Sequence, residues 1–113
     1  KWGFVLHLKK EIYKMEALNS IKKGEYEITI SDGMVYVESE IVKAKYRILD
    51  DSLIRRNLKI DNSCFFREYS KTLTAYWTKR GRVSQKHKEM IKEIEEIVIN
   101  AVRELDKNIF YIR

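Results

Sequence analysis

The chain has 113 residues, enough for one ordinary domain and too few for two. With 44% apolar and 12% aromatic residues it can bury a core despite 35% charge, and no apolar run approaches the roughly 20 residues of a membrane-spanning helix. One cysteine, Cys64, excludes an intramolecular disulfide and a thiol-based zinc site, while 23 basic against 17 acidic residues leave a net charge of +6 that suits an anionic partner.

Residues 2–8 read as a strand. Basic flanks give this run some likeness to a signal peptide, but it is short, contains His7, and is not followed by a small-residue cleavage site. The spacing of Ile12, Met15, Leu18 and Ile21 predicts a helix over residues 9–23. Lys22 and Lys23 would complement its negative dipole end, and Gly24 would provide the left-handed stop. Next, Tyr26, Ile28 and Ile30 alternate with polar residues as in a half-buried strand, and Asp32-Gly33 is a strong hairpin signal. Val35 and Val37 then lie at odd positions, whereas Val42, Ala44, Tyr46 and Ile48 lie at even ones. One strand cannot bury both sets on one face, so a bulge, bend or turn is required near residues 40–42.

Asp50, Asp51 and Ser52 are suited to capping a short helical turn through Leu53 and Ile54. Asp61-Asn62-Ser63 is a turn cluster. Residues 64–78 are β-rich, with Phe65, Tyr69, Leu73, Ala75 and Trp77 sharing one parity, either in one bent strand or in a hairpin turning near Ser70-Lys71. Cys64, beside two phenylalanines, reads as a small buried hydrophobe. Residues 79–82 form a loop, and Ser84 caps a long helix ending near Asp106. The apolar stripe of that helix comprises His87, Met90, Ile91, Ile94, Val98, Ala101, Val102 and Leu105. Residues 109–112 read as a closing strand beside the first. The expected fold is α+β, a single domain over residues 1–113. It consists of a mainly antiparallel sheet of about five to six strands, one N-terminal helix and one long C-terminal helix.

The composition has a thermophilic character: 15 Lys, 12 Glu and 14 Ile stand beside one Gln and four Ala, although Pro is absent. In this it resembles small uncharacterised proteins of hyperthermophilic archaea and of their rod-shaped or filamentous viruses. The resemblance assigns no residue a role. The lone thiol of Cys64 suits a reducing compartment and so a cytoplasmic setting, which would be the host cytoplasm for a viral protein.

The surplus positive charge is local. Residues 67–88 contain seven basic residues and one acidic residue, Glu68, and the rest of the chain is balanced. Lys79, Arg80, Arg82, Lys86 and Lys88 gather at the mouth of the long helix, where the backbone dipole already carries about half a positive charge. Stability alone would favour acids there, and the acids lie further along. Tyr76 precedes the loop on the outward parity of its strand, with Trp77 facing the core. Cations beside an aromatic ring are what nucleic acid needs, since phosphates follow the charge and bases stack. These six residues, Tyr76, Lys79, Arg80, Arg82, Lys86 and Lys88, form the candidate nucleic-acid site, with DNA or RNA as partner. Arg47, Arg55, Arg56 and Lys59 could extend it.

Catalytic signals are weak. His7 and His87 as an acid–base pair would need a shared phosphate, and Glu38, Glu40, Lys43, Lys45 and Asp32 only loosely suggest a metal-dependent nuclease. No Gly-rich phosphate loop, Gly-x-Ser-x-Gly or His-Glu-x-x-His occurs. No catalytic residue, metal ligand or cofactor is therefore assigned. The rival expectation is a homo-oligomeric or partner-binding structural protein that associates through an edge strand.

Overall fold

The computed structural model describes residues 19–113. Over these residues the elements run β1 (Ser20–Lys23), β2 (Tyr26–Ser31), β3 (Met34–Glu38), β4 (Val42–Leu49), β5 (Ser52–Ile60), β6 (Ser63–Tyr69), β7 (Ala75–Thr78), α1 (Gln85–Leu105) and β8 (Tyr111–Ile112). β1 to β7 make an antiparallel meander in sequence order, while β8 pairs in parallel with β5.

This corrects the expected sheet of five to six strands, since eight strands and one helix occur among the described residues. It also corrects the end of the expected N-terminal helix. Residues 20–23 are strand β1, in register with β2 from Ser20↔Thr29 to Lys23↔Tyr26. The remainder of that expected helix up to residue 18, and the expected strand at residues 2–8, lie outside the described residues. Gly24 does take a positive φ of 61°, but it serves a tight hairpin rather than a helix stop. A glycine that reverses the chain satisfies either structure. Nor did the apolar steps of three residues carry the three-and-four alternation of a true helical stripe.

Short acidic turns build three further hairpins of the meander. Asp32 (φ 53°) and Gly33 (φ 72°) are both left-handed, matching the right-handed twist of the hairpin strands they join. Asp50 (φ 56°) and Asp61 (φ 52°) adopt the same region in the β4–β5 and β5–β6 turns, which short polar side chains tolerate. The helical turn expected at residues 50–54 is thus a hairpin with Leu53 and Ile54 in β5, and the Ser52 hydroxyl donates to the Leu49 carbonyl across it (3.0 Å).

The required change of parity is a turn between β3 and β4. Ser39 N–H donates to the Val42 carbonyl at 2.8 Å, and Val42 N–H donates to the Ser39 hydroxyl at 3.1 Å. Val35 and Val37 before it, and Val42, Ala44 and Tyr46 after it, are consequently all buried. A second parity change had no sequence signal. Lys45 pairs with Asn57 but Tyr46 pairs with Arg55, so Arg56 is an extra residue in β5. This bulge keeps Leu53 and Arg55 on the same side as Leu58 and Ile60.

The long helix forms as expected. The Ser84 hydroxyl accepts from His87 N–H at 3.1 Å, and Asp106 closes the other end. Ile94, Val98, Ala101 and Val102 are buried with the sheet residues Ile28, Val35, Tyr46 and Leu53. Full burial of each large apolar side chain contributes roughly 1.5–3 kcal/mol. After the helix, Ile109 is fully buried and β8 docks on β5 through Phe110 N–H to the Asp51 carbonyl (2.8 Å) and Arg113 N–H to the Leu53 carbonyl (2.7 Å). The closing strand therefore lies beside β5, and the expected first strand at residues 2–8 lies outside the described residues.

The buried reading of Cys64 fails: the residue is exposed, because Phe65 takes the inward parity of β6. Of the two alternatives for residues 64–78 the hairpin holds, with its turn at residues 70–74 between β6 and β7. Leu73 therefore leaves the parity it would share with Phe65 in a continuous strand, and is 79% exposed and left-handed (φ 63°). The architecture thus places α1 over one face of the sheet and leaves Tyr36 and Phe66 exposed on the other.

Candidate nucleic-acid interface

β6 runs alongside β5 only as far as Leu58↔Phe65 and then pairs with β7. Arg55 bridges the opening. Its Nη1 donates to the Ala75 carbonyl at 3.1 Å, while Nε and Nη2 grip the Glu95 carboxylate at 2.9 and 2.6 Å. The same carboxylate accepts from the Tyr46 hydroxyl (2.9 Å) and from Trp77 Nε1 (2.8 Å). Both charged side chains are largely buried, with 13% and 14% exposure. A charge removed from water must be paired and hydrogen-bonded, and Glu95 is met from four directions. Burial, reinforced by this carboxylate, holds the Tyr46 phenol well above its ordinary 10.0. The Tyr46 and Trp77 rings meet edge-on with centroids 6.2 Å apart.

This network fixes β7 against α1, and between the two lies a cleft of about 510 Å³. Tyr76, Val83, Lys88, Ile91 and Lys92 line it, together with Arg55, Trp77 and Glu95. Alternation along β7 works as expected, with Trp77 7% and Tyr76 43% exposed. Tyr76 and Lys88 are therefore brought to one cleft. Lys79 and Arg80 line a separate concavity of about 430 Å³ with Asn62, Cys64 and Phe66. Arg82 and Lys86 are exposed and line neither.

Among the described residues, the cations at the helix mouth form no ion pair. The ion pairs among the described residues are Lys23–Glu104, Lys43–Glu38 at 3.9 Å, and Arg55–Glu95. None involves Lys79, Arg80, Arg82, Lys86 or Lys88, and the first turn of α1 contains no acidic residue. His87 is partly buried there, with its ring edge-on to Phe65 at 5.3 Å and Nδ1 buried with no hydrogen-bond partner among the described residues.

Of the suggested extensions, Arg55 is withdrawn into the Glu95 pair, whereas Arg47, Arg56 and Lys59 are exposed. Lys92 was missed. It follows Lys88 by four residues and so shares its helix face, a like-charge spacing that weakens a helix slightly and was visible in the sequence. Glu95 was also missed, though it borders the Ile91, Ile94 and Val98 stripe where a carboxylate needs a partner.

The residues of the nuclease reading converge only in part, since Glu40 and Lys43 line one concavity at the β3–β4 turn and Asp32 is not among its lining residues. Asp32 occupies the turn at one end of β3, with Glu38 and Glu40 at the other, and Glu38 pairs across the sheet with Lys43. No group of three His, Cys, Asp or Glu side chains among the described residues could hold a metal ion. His7 lies outside the described residues. No described helix is long and apolar enough to cross a membrane. No family model, curated protein or solved structure matches this chain, so any functional reading rests on the site's own chemistry.

Proposed function

We infer that this is a non-enzymatic binding domain that contacts nucleic-acid phosphates through Lys79, Arg80, Arg82, Lys86 and Lys88, with Tyr76 as a stacking platform. The observation that carries this reading is the absence of any ion-pairing carboxylate at these five cations among the described residues. Lys86 and Lys88 stand in the first turn of α1, where the dipole is already positive, at a cost on the order of 0.3–1 kcal/mol each. Phosphates would offset that cost, and no ion-paired carboxylate among the described residues does so. The cleft adds Lys88 and Lys92 beside the Tyr76 ring, which combines cation and aromatic on one surface.

A salt series with labelled single- and double-stranded oligonucleotides tests this. Neutralising four or five phosphates gives a log–log slope on the order of −4 on duplex. A flat salt response, or no binding at about 50 mM salt, would sink the reading.

A second reading, association with another protein or another copy, is favoured by the tip of the β6–β7 hairpin, where Tyr69 and Leu73 are 54% and 79% exposed. Light scattering distinguishes the two. This reading expects a defined oligomer that survives charge reversal at Arg80 and Arg82, and a strict monomer at high concentration counts against self-association.

A further inference from the structure

The face of the sheet opposite α1 carries its own unexplained charge. Antiparallel register sets Glu38, Lys43, Lys59 and Cys64 side by side on β3, β4, β5 and β6. Lys43 and Lys59 are therefore directly opposed like charges, an arrangement that costs a sheet roughly 0.2–1 kcal/mol relative to neutral pairs. Glu38 offsets this little, since it meets Lys43 only at 3.9 Å with both side chains mostly in solvent. One register step away, Tyr36 stands opposite Lys45, whose ammonium lies 5.7 Å from the ring centroid. Phe66, 48% exposed, lies on the same face of β6.

These features are continuous with the basic loop. A concavity of about 310 Å³ lined by Lys43, Lys45, Asn57, Lys59 and Cys64 shares Cys64 with the one formed by Phe66, Lys79 and Arg80. Resting on the nucleic-acid reading above, we propose that this face is a platform for single-stranded nucleic acid. Its bases stack on Tyr36 and Phe66 while its phosphates follow Lys45, Lys43 and Lys59 to Lys79 and Arg80. From β3 to β6 the track crosses three strand spacings, about 14 Å. Glu40 and Asp61 border it at the β3–β4 and β5–β6 turns. A broad sheet cannot enter a duplex groove that admits only a helix or a two-stranded ribbon, whereas unpaired bases can lie flat on exposed rings.

The test measures affinities of the full chain for a single-stranded RNA, the matching DNA strand and their DNA duplex, with circular dichroism as a check on folding. Tyr36→Ala and Phe66→Ala should each weaken single-strand binding by about 5- to 150-fold, the loss of one stacked base. Tyr36→Phe should retain it, and duplex affinity should be unaffected by all three. RNA and DNA that lose affinity in parallel indicate recognition of bases and phosphates common to both. A loss confined to RNA adds a ribose contact on the same platform. Two results overturn the platform without touching the loop reading: unchanged single-strand binding in the alanine variants while Arg80→Glu abolishes it, or concentration-dependent self-association that Tyr36→Ala removes. No binding of any strand by the parent chain overturns both.

Discussion

Arg55 and Arg80 are chemically identical, yet the fold treats them in opposite ways. Arg55 is drawn beneath α1, where Glu95 and the Ala75 carbonyl take three of its donors. Arg80, in the loop that enters the same helix, has no carboxylate partner among the described residues. The contrast teaches that this protein can neutralise a cation when stability requires it. On the proposed reading, the unpaired cations at the helix mouth serve a ligand rather than the fold.

Breaking the buried side of the comparison should have the largest effect. Glu95→Ala strands Arg55 away from full solvent and removes the acceptor of Tyr46 and Trp77. It should cost about 3–5 kcal/mol in denaturant unfolding. A loss below about 1 kcal/mol would place the pair among the weak surface bridges instead.

Alkali probes the same network more gently. The raised pKa of Tyr46 means that the folded chain holds its phenolic proton more tightly than the unfolded chain does. That stability is fully present below about pH 10 and is lost as pH rises towards the folded value. The thermal midpoint of the parent chain should therefore decline more steeply above about pH 10 than that of Tyr46→Phe. Equal slopes would detach Tyr46 from the alkaline transition.

At the helix mouth itself, Ser84→Ala should cost about 1 kcal/mol by removing the acceptor for His87 N–H. Lys86→Glu should instead stabilise, by roughly 0.3–1 kcal/mol at low salt, because a carboxylate suits the positive end of the dipole. Opposite signs two residues apart would separate what the helix needs from what the surface carries. Destabilisation by Lys86→Glu would mean that Lys86 has a structural role.

Much of this contrast was legible in the sequence, for identifiable reasons. The stripe and cap of α1, the Asp32-Gly33 hairpin and the break between Val37 and Val42 are local patterns, and each formed where the periodicity placed it. Gly24 was misread because a left-handed glycine serves a hairpin as well as a helix stop, and Asp50 because a short acidic side chain suits a hairpin turn as well as a helix N-cap. The Arg56 bulge had no signal at all. Without it Arg55 appeared to be a surface cation, and the pairing with Glu95, forty residues away, could not be seen. The basic run at residues 79–88 was visible, but not its division between a cleft shared with Lys92 and a second concavity shared with Phe66.

The most direct measurement neutralises the helix mouth as a unit, replacing Lys79, Arg80, Arg82, Lys86 and Lys88 with Gln. Unfolding free energy and oligonucleotide affinity are then compared with the parent chain in one buffer. The account predicts stability equal to or above that of the parent, with nucleic-acid binding lost at moderate salt. Binding that survives undiminished, or a clear fall in stability, would contradict it.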